Sequence, residues 1–134
     1  MKTIDANMTR DKWNHLNQNR NILRGYSNGT MSNSVWNLAN SVVEYLFKLQ
    51  ELSVLTDGIH MSIIPQQQHI CFQIKCGNQR YLISVGNCSV TVVQHICLKS
   101  NNQIIQSWRK PLMMSNMGLN AFLNNCFRSQ LSII

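Results

Sequence analysis

At 134 residues the chain has room for one hydrophobic core and at most a short appendage to it, which argues against a multidomain architecture. The formal net charge of +7 sets 12 Lys and Arg against only 5 Asp and Glu, a thin supply of carboxylates that disfavours glycoside hydrolysis and metal-dependent phosphoryl transfer. Five cysteines, an odd number without CxxC spacing, do not form a disulfide framework, and no apolar run approaches the length of a membrane span.

Residues 1–30 are polar and weakly patterned. Trp13, Leu16 and Leu23 share one helical face and Gly25 is placed to end it, so a short helix and an SNGT loop are expected here. This segment is expected to precede a single domain over residues 31–134. The opening MKTIDANMTRDKW lacks the apolar stretch of a secretory signal, and a cytoplasmic setting with reduced thiols is expected. The three Asn-x-Ser/Thr triplets, at Asn7, Asn28 and Asn87, then read as chance in an Asn-rich chain.

A stronger helix follows in SNSVWNLANSVVEYLFKLQEL. Val35, Leu38, Ala39, Val42, Leu46 and Leu49 make a continuous stripe for a core, with Ser32, Asn33 or Ser34 as the cap and Glu44–Lys48 as an i,i+4 ion pair. After Thr56-Asp57-Gly58 the period changes to two. Ile59, Met61 and Ile63 share a face, as do Ile70, Phe72 and Ile74, then Tyr81, Ile83 and Val85, then Val90, Val92, Ile96 and Leu98, with Ile105 in a last strand ending at Pro111.

Gly77-Asn78 and Gly86-Asn87 suit two-residue hairpin loops with Gly first. Such loops would pair Ile74 with Tyr81 and Phe72 with Ile83, and then Ile83 with Val90 and Tyr81 with Val92, apolar against apolar throughout. An Asn101-Asn102 loop would pair Leu98 with Ile105. The expected sheet is a five-stranded antiparallel meander in order 1-2-3-4-5. Residues 115–131, with Ser115 as cap and Leu119, Phe122, Leu123, Cys126 and Phe127 as a stripe, supply a second helix. The fold class is α+β, a two-layer sandwich with one sheet face covered by a preceding and a following helix.

The tetrapeptide QHIC occurs twice, at Gln68–Cys71 and Gln94–Cys97. In a strand, His69 and Cys71 project to one side, as do His95 and Cys97, and in both copies it is the side away from the core stripe. Four His and Cys ligands would make a zinc site, but the expected register offsets the copies by roughly 20 Å along the strands and roughly 10 Å across them. Ligands that far apart cannot share an ion, which needs each within roughly 2.0–2.3 Å. A Cys–His nucleophile lacks an orienting acid, since residues 58–134 contain none. No catalytic residues, metal or cofactor are therefore assigned. Cys76, Cys88 and Cys126 fall on or beside core stripes and read as small hydrophobes.

Residues 58–134 carry Lys75, Arg80, Lys99, Arg109, Lys110 and Arg128 and sum to +6, whereas residues 1–57 sum to +1. The same register lines up Lys75, Arg80, Val93 and Lys110 on the outer face, with His95 opposite Trp108. Like charges paired directly on a sheet cost stability unless something anionic binds them. The expected function is thus a small non-enzymatic binding module. Its partner-binding residues are Lys75, Arg80, His95, Trp108 and Lys110, and its partner is an anionic macromolecule, either nucleic acid or an acidic protein. Leu82, Val93, Ile64 and Ile104 also project outward, which supports the alternative of a protein-binding adaptor, chaperone or inhibitor, dimeric through the same face.

Overall fold

The structure, a computed structural model, describes residues 4–20, 31–55, 57–86, 89–97, 102–111 and 117–131, with the side chains of residues 66, 97, 102 and 117 outside the description. Ten elements follow in chain order: β1 (Ile4–Met8), α1 (Arg10–Gln18), α2 (Asn33–Glu51), β2 (Ile59–Ile64), β3 (His69–Cys76), β4 (Gln79–Val85), β5 (Ser89–Cys97), β6 (Asn102–Pro111), α3 (Met117–Cys126) and α4 (Arg128–Leu131). The class is α+β, and the sheet is an antiparallel meander in order β1-β2-β3-β4-β5-β6. The expected five strands are β2 to β6. The sixth, β1, pairs with β2 from Ile4↔Ile63 to Met8↔Ile59. Its five residues alternate only Ile4, Ala6 and Met8 with polar neighbours, too short and too weakly apolar a run to stand out before its partner strand is known.

Within the segment expected to be polar and marginal, α1 is firmly anchored. Thr9 caps it, its side chain accepting from the Lys12 N–H at 3.2 Å. Trp13 is fully buried, edge-on to Phe72 at 6.0 Å and tilted against Trp36 at 5.8 Å, and its Nε1 donates to Asn40 Oδ1 at 2.9 Å. Arg20 then ties the two helices: its guanidinium donates to Asn33 Oδ1 and Asn37 Oδ1, both at 3.0 Å, and lies over the Trp36 ring. Leu23, Gly25 and the SNGT loop lie outside the described residues.

Ser32 is the cap of α2, accepting from Ser34 N–H at 3.2 Å. The whole expected stripe of α2 is buried, and so are Trp36, Val43, Tyr45 and Phe47. The helix is covered on more than one side because it lies between the sheet and its helical neighbours: Trp36 meets α1, while Tyr45 donates to Asn124 Oδ1 of α3 at 2.8 Å. Glu44 pairs with Arg10 at 3.1 Å, where an i,i+4 bond to Lys48 was expected, because α1 is brought alongside. The expected helix over 115–131 is two pieces, α3 and α4, with Leu119, Leu123, Cys126 and Phe127 buried; the Ser115 cap lies outside the described residues.

The register confirms the first hairpin. Gly77 adopts φ +63, which a Cβ would oppose, and Cys76↔Gln79, Ile74↔Tyr81 and Phe72↔Ile83 follow in register. The second hairpin differs. Val85 pairs with Val90 and Ile83 with Val92, so four residues stand between the first paired positions where two were expected, with Gly86 N–H donating to Ser89 C=O at 3.1 Å. That is a shift of two residues, which preserves faces and changes partners. The last pair departs further. Gln94 meets Gln106 while His95 meets Ile104, so Ile105 is an extra residue in a β-bulge. Relative to the expected pairing of Leu98 with Ile105, residues 106–111 are displaced by three positions. An odd displacement turns a strand over, and every side chain of this part of β6 lies on the face opposite to the one expected.

The inward residues of β1 to β5 form one core with α2, α3 and Trp13. Phe72 touches α1, and Tyr81 stacks on Phe127 at 4.3 Å. The helices therefore share one face of the sheet. Among the described residues no element covers the other.

Candidate binding face of the sheet

Three rows cross the open face. The first runs Asn7, His60, Gln73, Leu82, Val93, Ser107; the second Asp5, Ser62, Cys71, Ser84, Thr91, Arg109; the third Lys75, Arg80, His95, Ile104. In β2 and β3 these residues alternate with buried ones, which puts them outward, and the pairing carries the same face across to β1 on one side and to β4, β5 and β6 on the other. Leu82 and Val93 are half-buried and directly opposed, while Ile104 is 67 % exposed and Ile105, at the bulge, 47 %.

Of the five residues expected to bind a partner, the fold brings three together. Lys75 is opposite Arg80, and Arg80 is opposite His95. The other two are elsewhere. Trp108 is opposite Val92 and packs against the core on the helix side. Lys110 is opposite Val90, with its Nζ only 2.8 Å from where a Cβ would stand on Gly118 of α3. The bulge at Ile105 is the physical cause of the change of face, whereas the longer β4–β5 connection changes only which residue of β5 lies opposite Arg80. In exchange, Arg109 enters the open face opposite Thr91, an assignment the expected register could not make.

Cations on this face outnumber carboxylates, Lys75, Arg80 and Arg109 against Asp5 and Asp57. Asp5, at the β1 edge, contacts His60 Nε2 and accepts from Ser62 Oγ at 3.2 Å, and Asp57 lies just before β2. At the other end, Lys75 and Arg80 border a shallow depression of about 190 Å³ that also takes in His60, Gln73 and Asp57. Arg80 and Arg109 are exposed.

The chemistry of the first QHIC copy can be read from its geometry. Cys71 Sγ lies 3.4 Å from His69 Nδ1 and 3.7 Å from Ser84 Oγ. Burial pushes the Cys71 thiol up, only partly offset by the Ser84 hydrogen bond, and burial pushes the His69 imidazole down. Both shifts favour the neutral pair, opposite to the thiolate–imidazolium pair of a cysteine nucleophile. Ser62 donates to Asp5 and has no histidine base, so Asp5, His60 and Ser62 do not form a nucleophilic triad.

The two copies stay apart in the corrected register. Cys71 is level with Ser84 and Thr91, and His95 is four residues further, roughly 13 Å along the strands and roughly 10 Å across two strand spacings. Among the described residues no group of three or more His, Cys, Asp or Glu could hold a metal ion, and no helix is long and apolar enough to cross a membrane. Cys76 and Cys126 are buried in the core; Cys88 lies outside the described residues. No family model matches the chain, and neither a curated protein nor a solved structure matches it.

Proposed function

We propose that the protein is a non-enzymatic binding module whose open sheet face docks an acidic protein partner. The observation that carries this reading is the composition of the uncovered face. An apolar strip, Leu82–Val93 with Ile104 beside it, is flanked by Lys75, Arg80, His95 and Arg109. An apolar centre with a cationic rim suits a partner that offers aliphatic side chains among carboxylates: the strip supplies affinity, and the rim supplies orientation and association rate. Adaptor, chaperone and inhibitor are three uses of such a surface.

Nucleic acid is the second reading, favoured by the adjacent Lys75 and Arg80 and by Arg109. Among the described residues this face carries no Trp, Tyr or Phe ring, because Trp108 lies on the helix side, and stacking on such rings is a main source of affinity for single strands.

The two readings separate in one set of measurements. Selection from a random peptide display library should enrich acidic peptides with aliphatic residues. Their binding should fall at least tenfold, about 1.4 kcal/mol, in both Leu82→Glu and Arg80→Glu. Enrichment of basic or neutral peptides, or binding that ignores both substitutions, would sink the protein-partner reading. Retention on a random-sequence oligonucleotide column that falls steeply with salt would favour nucleic acid instead. Light scattering reports whether a second copy occupies the face, in which case Leu82→Glu should give a monomer.

A further inference from the structure

On the helix side of the sheet, a cleft of about 490 Å³ opens between β5–β6 and the α3–α4 corner. Its volume is within the range of roughly 300–1,000 Å³ usual for small-molecule sites. We infer that this cleft binds a small anionic ligand with a flat ring, of the mononucleotide class.

Three kinds of group converge there. Trp108 is half-buried: part of its ring packs on the core and it also lines the cleft, so it offers a fixed apolar wall for a flat ring. Arg128, exposed at the first position of α4, supplies a planar guanidinium suited to a phosphate. No carboxylate side chain lines the cleft, and residues 58–134 contain no Asp or Glu, so the wall itself does not neutralise this cation. Gln106 and Asn125 are exposed amides, each carrying a donor and an acceptor side by side, the pattern that reads the edge of a nucleobase.

The walls are held in place by a buried polar network. Gln94 is the single buried polar residue among those described, 6 % exposed, within the otherwise apolar inward row of β5. Its Nε2 donates to Gln79 Oε1 at 2.5 Å and to Tyr81 Oη at 3.0 Å. Gln130 of α4 donates to the same two oxygens, at 2.7 and 3.4 Å. The segment carrying Arg128 is thus pinned to β4, and Gln94 joins β4 to β5, the strand beside the one that carries Trp108, so the site is formed before any ligand arrives.

Trp13 and Trp36 are fully buried, so Trp108 is the tryptophan that a ligand in the cleft will quench. Titration with nucleoside 5′-monophosphates should quench the emission saturably, with matching heat in calorimetry. The parent nucleosides and inorganic phosphate should each bind at least about tenfold more weakly, since each supplies only one of the two interactions. Arg128→Gln and Gln106→Ala, both at exposed positions, should each weaken the monophosphate with far-ultraviolet circular dichroism unchanged, while Arg80→Gln on the open sheet face should leave it unaltered. No saturable binding of any monophosphate below about 1 mM would overturn the inference. So would phosphate alone binding as tightly as the nucleotide, or an affinity that ignores both cleft substitutions.

Discussion

Cys71 and Gln94 show how little a residue's type says until its neighbours are known. Cys71 sits in a His-x-Cys pattern and touches a histidine, yet burial holds the thiol above the ordinary value and the imidazole below it. Peptide-resolved alkylation should therefore show Cys71 reactivity rising only above pH 9, and His69→Ala should not shift the profile upward. A reactive plateau near neutral pH would instead identify a thiolate. Gln94 interrupts an apolar alternation, an irregularity that was visible in the sequence as Val90-x-Val92-x-Gln94-x-Ile96. Only the fold supplies its partners. Tyr81→Phe removes the oxygen that accepts from both Gln94 and Gln130, and chemical denaturation should register a loss of about 1–3 kcal/mol, the cost of stranding buried amide donors. A loss well under that range would mean that the network does not hold α4 to the sheet.

At the scale of elements, strands and helices follow from periodicity, and their mutual placement follows from single residues that periodicity does not see. The β3–β4 hairpin was legible because Gly77 at positive φ closes a two-residue loop. The β4–β5 connection is two residues longer than its Gly-Asn signal implied, and one bulge residue, Ile105, accounts for part of the odd displacement that turns Trp108 and Lys110 to the helix side. The cationic pair Lys75↔Arg80 survives because it belongs to the legible hairpin. If that pair is kept at a cost to stability, Arg80→Thr should raise stability by about 0.2–1 kcal/mol at low salt, with the gain shrinking as salt screens the repulsion. A loss in Arg80→Thr would show that Arg80 contributes packing and that its charge is not tolerated for a partner's sake. The asparagines of the N-terminal third also change meaning here. Asn33 was a candidate cap and Asn37 and Asn40 carried no signal in the sequence, yet all three accept bonds from Arg20 and Trp13 that join the α1 segment to α2.

For the whole molecule, the unequal burial of its titratable groups shapes stability on both sides of neutrality. His69 has a folded pKa below the ordinary 6.5. As pH falls through 6.5 the unfolded chain takes up the proton first, so stability should decline on the acid side until the folded imidazole titrates as well, and His69→Gln should flatten that slope. Burial pushes the Cys76 thiol up to about 11 and the Cys126 thiol up to about 12, from an ordinary 9.0. Above pH 9 the unfolded thiols ionise while the folded ones stay protonated, so stability should fall steadily toward pH 11–12. Urea midpoints across pH 5–11 check both arms; an alkaline arm that persists in Cys76→Ala/Cys126→Ala would assign it elsewhere, with Tyr81, also raised by burial, as the next group to test.

By itself the sequence determined strands β2 to β6 of the meander, the buried stripe of α2, the first hairpin register and the absence of acidic side chains beyond Asp57, because each depends on local order: the period of two or 3.6, one turn residue, or simple composition. The tertiary structure alone decided that Ile4–Met8 is a strand, that α1 joins the other helices on their face through Trp13, and that Trp108 and Lys110 lie with the helices while Arg109 joins Lys75, Arg80 and His95 outside. The physical reason is the period of two in a strand. A loop two residues longer preserves the faces, one bulged residue exchanges them, and neither leaves a mark in hydrophobic alternation strong enough to be read before the strands are paired.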